Sequence, residues 1–191
     1  RKAVLLKPEY PEAFYNMGIA FAALGHLDEA LGAYKKAIEI NPNYADAYNN
    51  MGIALVALEN FDEALGAYKK AVEINPDYAD AYNNMGATLY DKERLDEAIH
   101  AFQKVVKINS NHAEAHNNLG NVLYKQGQIE KAIDAYKQAI ESNPDYFEAW
   151  NNIFYSIYAM KQKVLSDEKT GHYYPDFADS NYADIKKSIM I

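Results

Sequence analysis

The sequence predicts an all-α solenoid of antiparallel helix pairs, and three observations carry that expectation. One block of sequence recurs at a fixed spacing of 34 residues. Within each block the apolar residues form two runs at helical spacing, and an Asn-Pro or Asn-Ser dipeptide closes the second run. A fixed period of this length marks a stacked architecture in which each unit packs only on its neighbours.

Four full copies occupy residues 11–44, 45–78, 79–112 and 113–146. Residues 1–10 read as the end of a preceding second helix, because Ala3 and Pro8 sit 34 residues before Ala37 and Pro42. The chain therefore opens inside a repeat, as a segment of a longer protein would. Residues 147–164 read as the first helix of a fifth, atypical copy, with Trp150, Ile153 and Ile157 in register. Residues 165–191 contain the breakers Gly171 and Pro175 and then Tyr182, Ile185 and Ile189 at helical spacing. They read as a C-terminal cap or linker with a short final helix, since a terminal repeat needs a cover for its apolar face.

In the second copy, positions 1, 4, 7, 8 and 11 are Ala45, Tyr48, Met51, Gly52 and Leu55. At about 100° per residue these form one stripe, so the segment is an amphipathic helix rather than a strand. The second run, Phe61, Ala64, Leu65, Tyr68, Ala71, Val72 and Ile74, gives a second helix. Asn75-Pro76 stops it, because proline cannot continue the hydrogen-bond ladder. The next helix starts at once, with Asp77 three residues before Asp80 in the spacing of a capping box. Connections this short force neighbouring helices to pack antiparallel.

Position 8 is Gly18, Gly52, Gly86 and Gly120. Glycine inside a helix costs about 1 kcal/mol relative to alanine. Its recurrence at one register means the absent side chain makes room for the partner helix. In the fifth copy position 8 is Phe154, so a regular second helix cannot dock there without overpacking.

The pattern Tyr48, Met51-Gly52, Leu55, Ala64, Tyr68, Ala71 and Pro76 resembles a tetratricopeptide repeat, from Ala3 to about Met160. The resemblance implies a right-handed superhelical solenoid whose first helices line a concave groove that binds protein or peptide. Ser110 departs from the pattern in place of proline, and Glu59 and Glu93 in place of the usual small residue after the first helix.

Positions 2, 5, 6, 9, 12 and 13 of the first helix lie opposite the core stripe, where the groove would be. Position 6 is Asn16, Asn50, Asn84, Asn118 and Asn152; position 5 is Tyr15 followed by Asn49, Asn83, Asn117 and Asn151. Asparagine is a middling helix former, so local preference does not explain the series. An amide both donates and accepts, which suits pairing with a peptide backbone of any sequence. The series is similar to the asparagine ladders of O-linked N-acetylglucosamine transferase repeats, which grip extended peptides. The other reading is that one asparagine of each pair bonds to the next repeat and organises the stack.

Five hydrogen bonds supply about 5 kcal/mol net, whereas micromolar binding needs about 8. Other groove residues must contribute, and Asn121, Tyr90, Tyr124, Tyr155 and Tyr158 are placed to do so. Position 2 is acidic throughout: Glu12, Asp46, Asp80, Glu114 and Glu148. Acids in a first turn complement the helix dipole, yet together they also make the groove negative. Asp91 and Lys125 cancel, so a neutral or basic peptide is the expected partner. Repeat proteins that clamp a C-terminal carboxylate use groove lysines and arginines, which are absent here apart from Lys125.

Composition narrows the remaining classes. The net charge of -8 disfavours nucleic acid and anionic membranes as partners. No apolar run approaches the length of a membrane span. With no cysteine in the chain there is no thiolate site, and the chain fits a reducing, cytoplasmic setting. His112 and His116 have a spacing that can place two ligands on one helix face, but no third ligand accompanies them, so no metal site or cofactor is expected. The pairs Asp28-Glu29 and Asp62-Glu63 recur at second-helix starts and are structural. No phosphate loop or nucleophile motif appears, so the chain is expected to be no enzyme. Two further readings stand beside the binding scaffold. The chain could be the recognition arm of a larger glycosyltransferase or sulfotransferase, or its ends could associate end to end.

Overall fold

The computed structural model describes residues 10–168. The expectations for residues 1–9 and 169–191, which cover most of the C-terminal cap or linker, lie outside the described residues. The helices are α1 (Pro11–Ala23), α2 (Leu27–Ile40), α3 (Ala45–Ala57), α4 (Phe61–Ile74), α5 (Ala79–Asp91), α6 (Leu95–Ile108), α7 (Ala113–Lys125), α8 (Ile129–Ser142) and α9 (Phe147–Glu168). They form consecutive antiparallel pairs, and no strand occurs among the described residues. Two compact units divide between Ile108 and Asn109, the one inter-repeat connection that has serine in place of proline.

Each pair is joined by a tight turn. After α3, Glu59 N–H donates to Val56 O at 2.9 Å and Asn60 N–H to Leu55 O at 2.8 Å. This is a Schellman motif, which requires a left-handed residue just past the helix. Gly25 and Gly127 take that place at φ 77° and 76°, whereas Glu59 and Glu93 take it at φ 62° and 60°. The glutamates therefore keep the turn and carry strain in it.

The connection to the next pair is built differently from the expected capping box. The residue before α3 is Tyr44 and that before α5 is Tyr78, neither with a side-chain cap. The ordering group lies earlier, at the asparagine that ends each second helix. Asn41 Oδ1 accepts from Asn43 N–H at 3.1 Å, and Asn75, Asn109 and Asn143 accept in the same way from Asp77, Asn111 and Asp145. Such an Asx turn bends the chain by a local side-chain bond before proline acts.

The position-8 glycines behave as expected. A Cβ at Gly52 would sit 2.5 Å from Tyr68 Cε1, and one at Gly86 would sit 2.8 Å from Phe102 Cε1. Gly18 and Gly120 face Tyr34 and Tyr136 in the same manner. Tyr34, Tyr68, Phe102 and Tyr136 thus pack closely against bare backbone of the first helices, and these rings are among the most buried large side chains.

The buried face of the first helices is wider than the expected stripe. Ala47, Ala54, Ala81 and Thr88 are buried, at positions 3 and 10. The cause is two-sided packing: α3 meets α4 on one flank and α2 on the other, and α5 meets α6 and α4. A single stripe accounts for only one of these neighbours. In the second unit Ala115, Val122, Ala149 and Ser156 repeat the arrangement. There α9 packs on α8, and Phe154 stands at the surface, where no second helix follows it within the described residues. Helix α9 runs past residue 164 to Glu168, because no glycine or proline interrupts it before Gly171.

Candidate functional site

The outward-facing side chains of the first helices form the candidate site. In the first unit α1, α3 and α5 each present an acid, an amide and an apolar group in the same register. These are Glu12, Asn16 and Ile19; Asp46, Asn50 and Ile53; and Asp80, Asn84 and Ala87. The acids and the apolar groups are exposed; Asn16 is exposed, while Asn50 and Asn84 are half-buried. Spacings of three and four residues keep all three groups on one helix face.

Asparagines of neighbouring repeats are wired together. Asn84 Nδ2 donates to Asn49 Oδ1 at 3.1 Å, and Asn49 Nδ2 to Asn50 Oδ1 at 3.3 Å. Asn50 Nδ2 in turn donates to the Tyr15 hydroxyl at 3.1 Å. In the second unit Asn152 Nδ2 donates to Asn117 Oδ1 at 2.9 Å and to Asn121 Oδ1 at 3.0 Å. The position-6 amide thus reaches back 35 residues to position 5 of the preceding repeat.

Position 5 consequently divides from the expectation that all its members face a ligand. Asn49 is 4% exposed and Asn117 0%. Their amides serve the stack, because a buried amide must be satisfied within the protein. Among the described residues no buried side-chain polar atom is left unpaired. Asn151, by contrast, is exposed, and Asn83 and Asn118 are half-buried. Asn121 is half-buried and accepts from the Tyr136 hydroxyl at 2.9 Å.

The tyrosines separate by repeat. Tyr90 is half-buried. In the second unit Tyr124 is exposed, and Tyr155 and Tyr158 are 64% and 55% exposed. With Phe147 they make the aromatic part of the surface, whereas Ile19 and Ile53 make an aliphatic part in the first unit. The two isoleucines occupy groove register at position 9, and the weight given to polar residues there passed over them.

Acids at position 2 do more than complement helix dipoles. Glu148 Oε1 accepts from Asn117 Nδ2 at 3.1 Å, and its Oε2 accepts from the Tyr146 hydroxyl at 3.4 Å. Burial first, then Glu148 and Glu114, pushes the Tyr146 phenol up to about 12. Tyr44 is pushed up to about 12 by burial and by Tyr15, Glu12 and Asp46, and its ring lies 4.9 Å from that of Tyr15. Tyr78 is raised by burial and by a hydrogen bond to Asp46. These phenols stay protonated at neutral pH, and Tyr146 and Tyr78 donate to the carboxylates of Glu148 and Asp46.

The two histidines are occupied separately. His112 Nδ1 accepts from Ala115 N–H at 3.2 Å, and His116 Nε2 bonds Ser110 O at 2.9 Å. Trp150 Nε1 donates to Pro144 O at 2.9 Å in the same register, so His116 holds a turn. No group of three metal-ligating side chains occurs among the described residues, and no described helix is long and apolar enough to cross a membrane.

Comparison with known proteins bears on this arrangement. A search of curated protein sequences gives no significant match. Several solved structures are similar. YrrB, described as a TPR protein with an unusual peptide-binding site, is 27% identical with a TM-score of 0.72, covering 84% of this chain and 82% of its own. MamA is 26% identical with a TM-score of 0.72, covering 82% and 98%. The first TPR of Spaghetti (RPAP3), bound to the HSP90 peptide SRMEEVD, is 26% identical with a TM-score of 0.60, covering 61% and 93%. Residues 77–145 match the tetratricopeptide repeat family, and residues 20–59 and 54–92 match the TPR repeat. With the paired helices and the glycine-aromatic contacts, these matches show that the chain belongs to the tetratricopeptide repeat family.

Proposed function

We propose that the chain is a non-catalytic interaction scaffold that holds an extended, neutral or basic peptide of a partner protein across its first helices. The observation that carries this reading is the in-register acid, amide and apolar triplet on α1, α3 and α5. A peptide in extended form offers backbone N–H and C=O groups at regular spacing and side chains on alternate sides. The position-6 amides can meet the backbone: Asn50 and Asn84 each commit one N–H to the stack, and an amide carries two N–H groups and a carbonyl. On the first unit Ile19 and Ile53 take apolar side chains, and on the second unit, as a face of its own, Tyr124, Tyr155 and Tyr158 supply aromatic anchors of the kind that dominate binding energies.

YrrB's peptide-binding site and the peptide held by the RPAP3 repeat support a peptide ligand for this fold. The RPAP3 ligand SRMEEVD is itself acidic, whereas the faces here carry acids, so the ligand charge is reversed. Asn49 and Asn117 act as spacers between repeats and are excluded from the contact set.

A peptide array of extended dodecamers graded in charge tests the reading. Neutral and basic peptides are expected to bind. Tyr155→Ala with Tyr158→Ala should weaken binding about tenfold without lowering the melting temperature, since both rings are exposed. Full binding by that variant together with Asn50→Ala and Asn84→Ala would remove the first-helix faces from the function.

A further inference from the structure

We propose that the channel between α4 and α6 is a second docking surface, which takes an acidic amphipathic helix of a partner protein. The channel has a volume of about 680 Å³ and lies wholly within the first unit. Its floor is the apolar stripe of α5, formed by Tyr82, Met85 and Leu89, and Leu65 and Val72 of α4 line one wall. A groove with an apolar floor between the second helices of two neighbouring pairs matches the way an amphipathic helix is received by a helical protein.

Two independent features indicate the occupant. The first is charge. Lys69, Arg94 and Lys104 stand on the banks with Glu73 and Glu97. Both acids are already neutralised: Arg94 holds Glu97 through Nε at 2.7 Å and Nη2 at 2.8 Å, and Lys70 holds Glu73 at 2.6 Å. Lys69 and Lys104 make no ion pair among the described residues and both are exposed; Lys69 also faces Glu73 and Glu97, and Asp62 faces Arg94, yet Lys69, Lys70, Arg94 and Lys104 outnumber these three acids. On a chain with net charge -8, this leaves a local surplus of cations over apolar surface. The channel therefore offers an acidic partner complementary charge.

The second feature is Gly66, an exposed residue inside α4 on the channel wall. Glycine weakens a helix interior but lets another backbone come close. The position-8 glycines have such a neighbour in the aromatic ring of the partner helix. Gly66 has none: a Cβ there would meet nothing within 4 Å. The close approach it permits is from outside the chain. Its place admits a bulky aliphatic side chain of an incoming helix directly onto the backbone.

The test uses the 191-residue chain and a fluorescein-labelled synthetic helix with Leu at i, i+3, i+4 and i+7 and Ala and Glu elsewhere. A second peptide carries Lys in place of Glu. Fluorescence anisotropy should show saturable binding of the Glu peptide, with the Lys peptide at least about tenfold weaker. Gly66→Leu, and separately Lys69→Glu with Lys104→Glu, should each cost about tenfold or more. The melting temperature of Gly66→Leu should equal or exceed the parent value, because the helix gains propensity and nothing is displaced. Ile19→Ala with Ile53→Ala, both exposed on the first-helix faces, should leave the affinity for the Glu peptide unchanged, which separates this surface from those faces. Absence of saturable binding at millimolar peptide, equal binding of the Lys peptide, or full binding by Gly66→Leu would each overturn the proposal.

Discussion

Two glycines fourteen residues apart show how one residue type serves opposite purposes. Gly52 faces the Tyr68 ring, and a Cβ there lands 2.5 Å from a ring carbon, so Gly52→Ala must push the aromatic anchor of the pair. Overpacking costs about 1–3 kcal/mol while the helix gains about 1, so a net loss of up to about 2 kcal/mol is expected in urea denaturation. Gly66→Ala, with open space at its Cβ, should gain up to about 1 kcal/mol in the same experiment. Opposite signs at the two sites are the outcome to look for. The ring beside Gly52 also links folding to pH. Burial pushes the Tyr68 phenol up to about 12, and a hydrogen bond to Thr88 works the other way. In the unfolded chain tyrosine ionises near 10, so the folded state favours the neutral phenol. Stability from this group is therefore intact below about pH 10 and is lost as pH rises through 12. Phe102 holds the equivalent place one repeat later, so Tyr68→Phe should fit at neutral pH. It should also recover about 1–3 kcal/mol of the alkaline loss, measured by urea unfolding from pH 7 to 12.

At the scale of the helix pair, the turns decide what can be improved. Gly25 and Gly127 occupy the left-handed position at no steric cost, whereas Glu59 adopts φ 62° with a side chain. A left-handed L-residue costs roughly 1–2 kcal/mol, part of which glycine gives back as unfolded-state entropy. Glu59→Gly should therefore raise stability by about 0.5–1 kcal/mol, read from the shift of the urea midpoint at constant slope. Unchanged stability would mean the turn relaxes around glutamate. These turns also show what was legible in the sequence. The turn after the first helix was legible only through the tetratricopeptide resemblance, from which Glu59 and Glu93 depart, while the glycine register gave room for the partner helix but not the aromatic ring that fills it. The Asx turn at Asn41 and Asn75 was not, because an asparagine before proline reads equally well as a simple helix stop. The burial of Ala47 and Ala54 was hidden for a related reason. One amphipathic stripe describes a helix with one neighbour, and alanine gives too weak an apolar signal to reveal a second.

At the scale of the molecule, the candidate site combines what periodicity reveals with what only contact geometry assigns. Equal side chains at equal positions were legible as a row, but the division of labour within the Asn-Asn pair was not. Positions 5 and 6 differ by a single 100° step, and it is the following first helix, α5, whose Asn84 amide covers Asn49 while Asn50 stays half open. The acids of the row set the sign of the proposed ligand, and their strength can be bounded. Glu12 and Asp80 are exposed, and an exposed ion pair contributes about 0.2–1 kcal/mol. Glu12→Gln with Asp80→Asn should then weaken a basic peptide about threefold to tenfold at low salt, chiefly through slower association. Asp46 is left intact in that variant because it also bonds Tyr78, and its loss would confuse binding with folding. At about 0.5 M salt the Debye length falls well below the span of a peptide, so parent and variant affinities should converge. An acidic peptide should gain from the same substitutions over the same salt range. Stopped-flow association at three salt concentrations reads both effects. Parallel salt dependences for parent and variant would show that the acids of the first helices serve the fold alone.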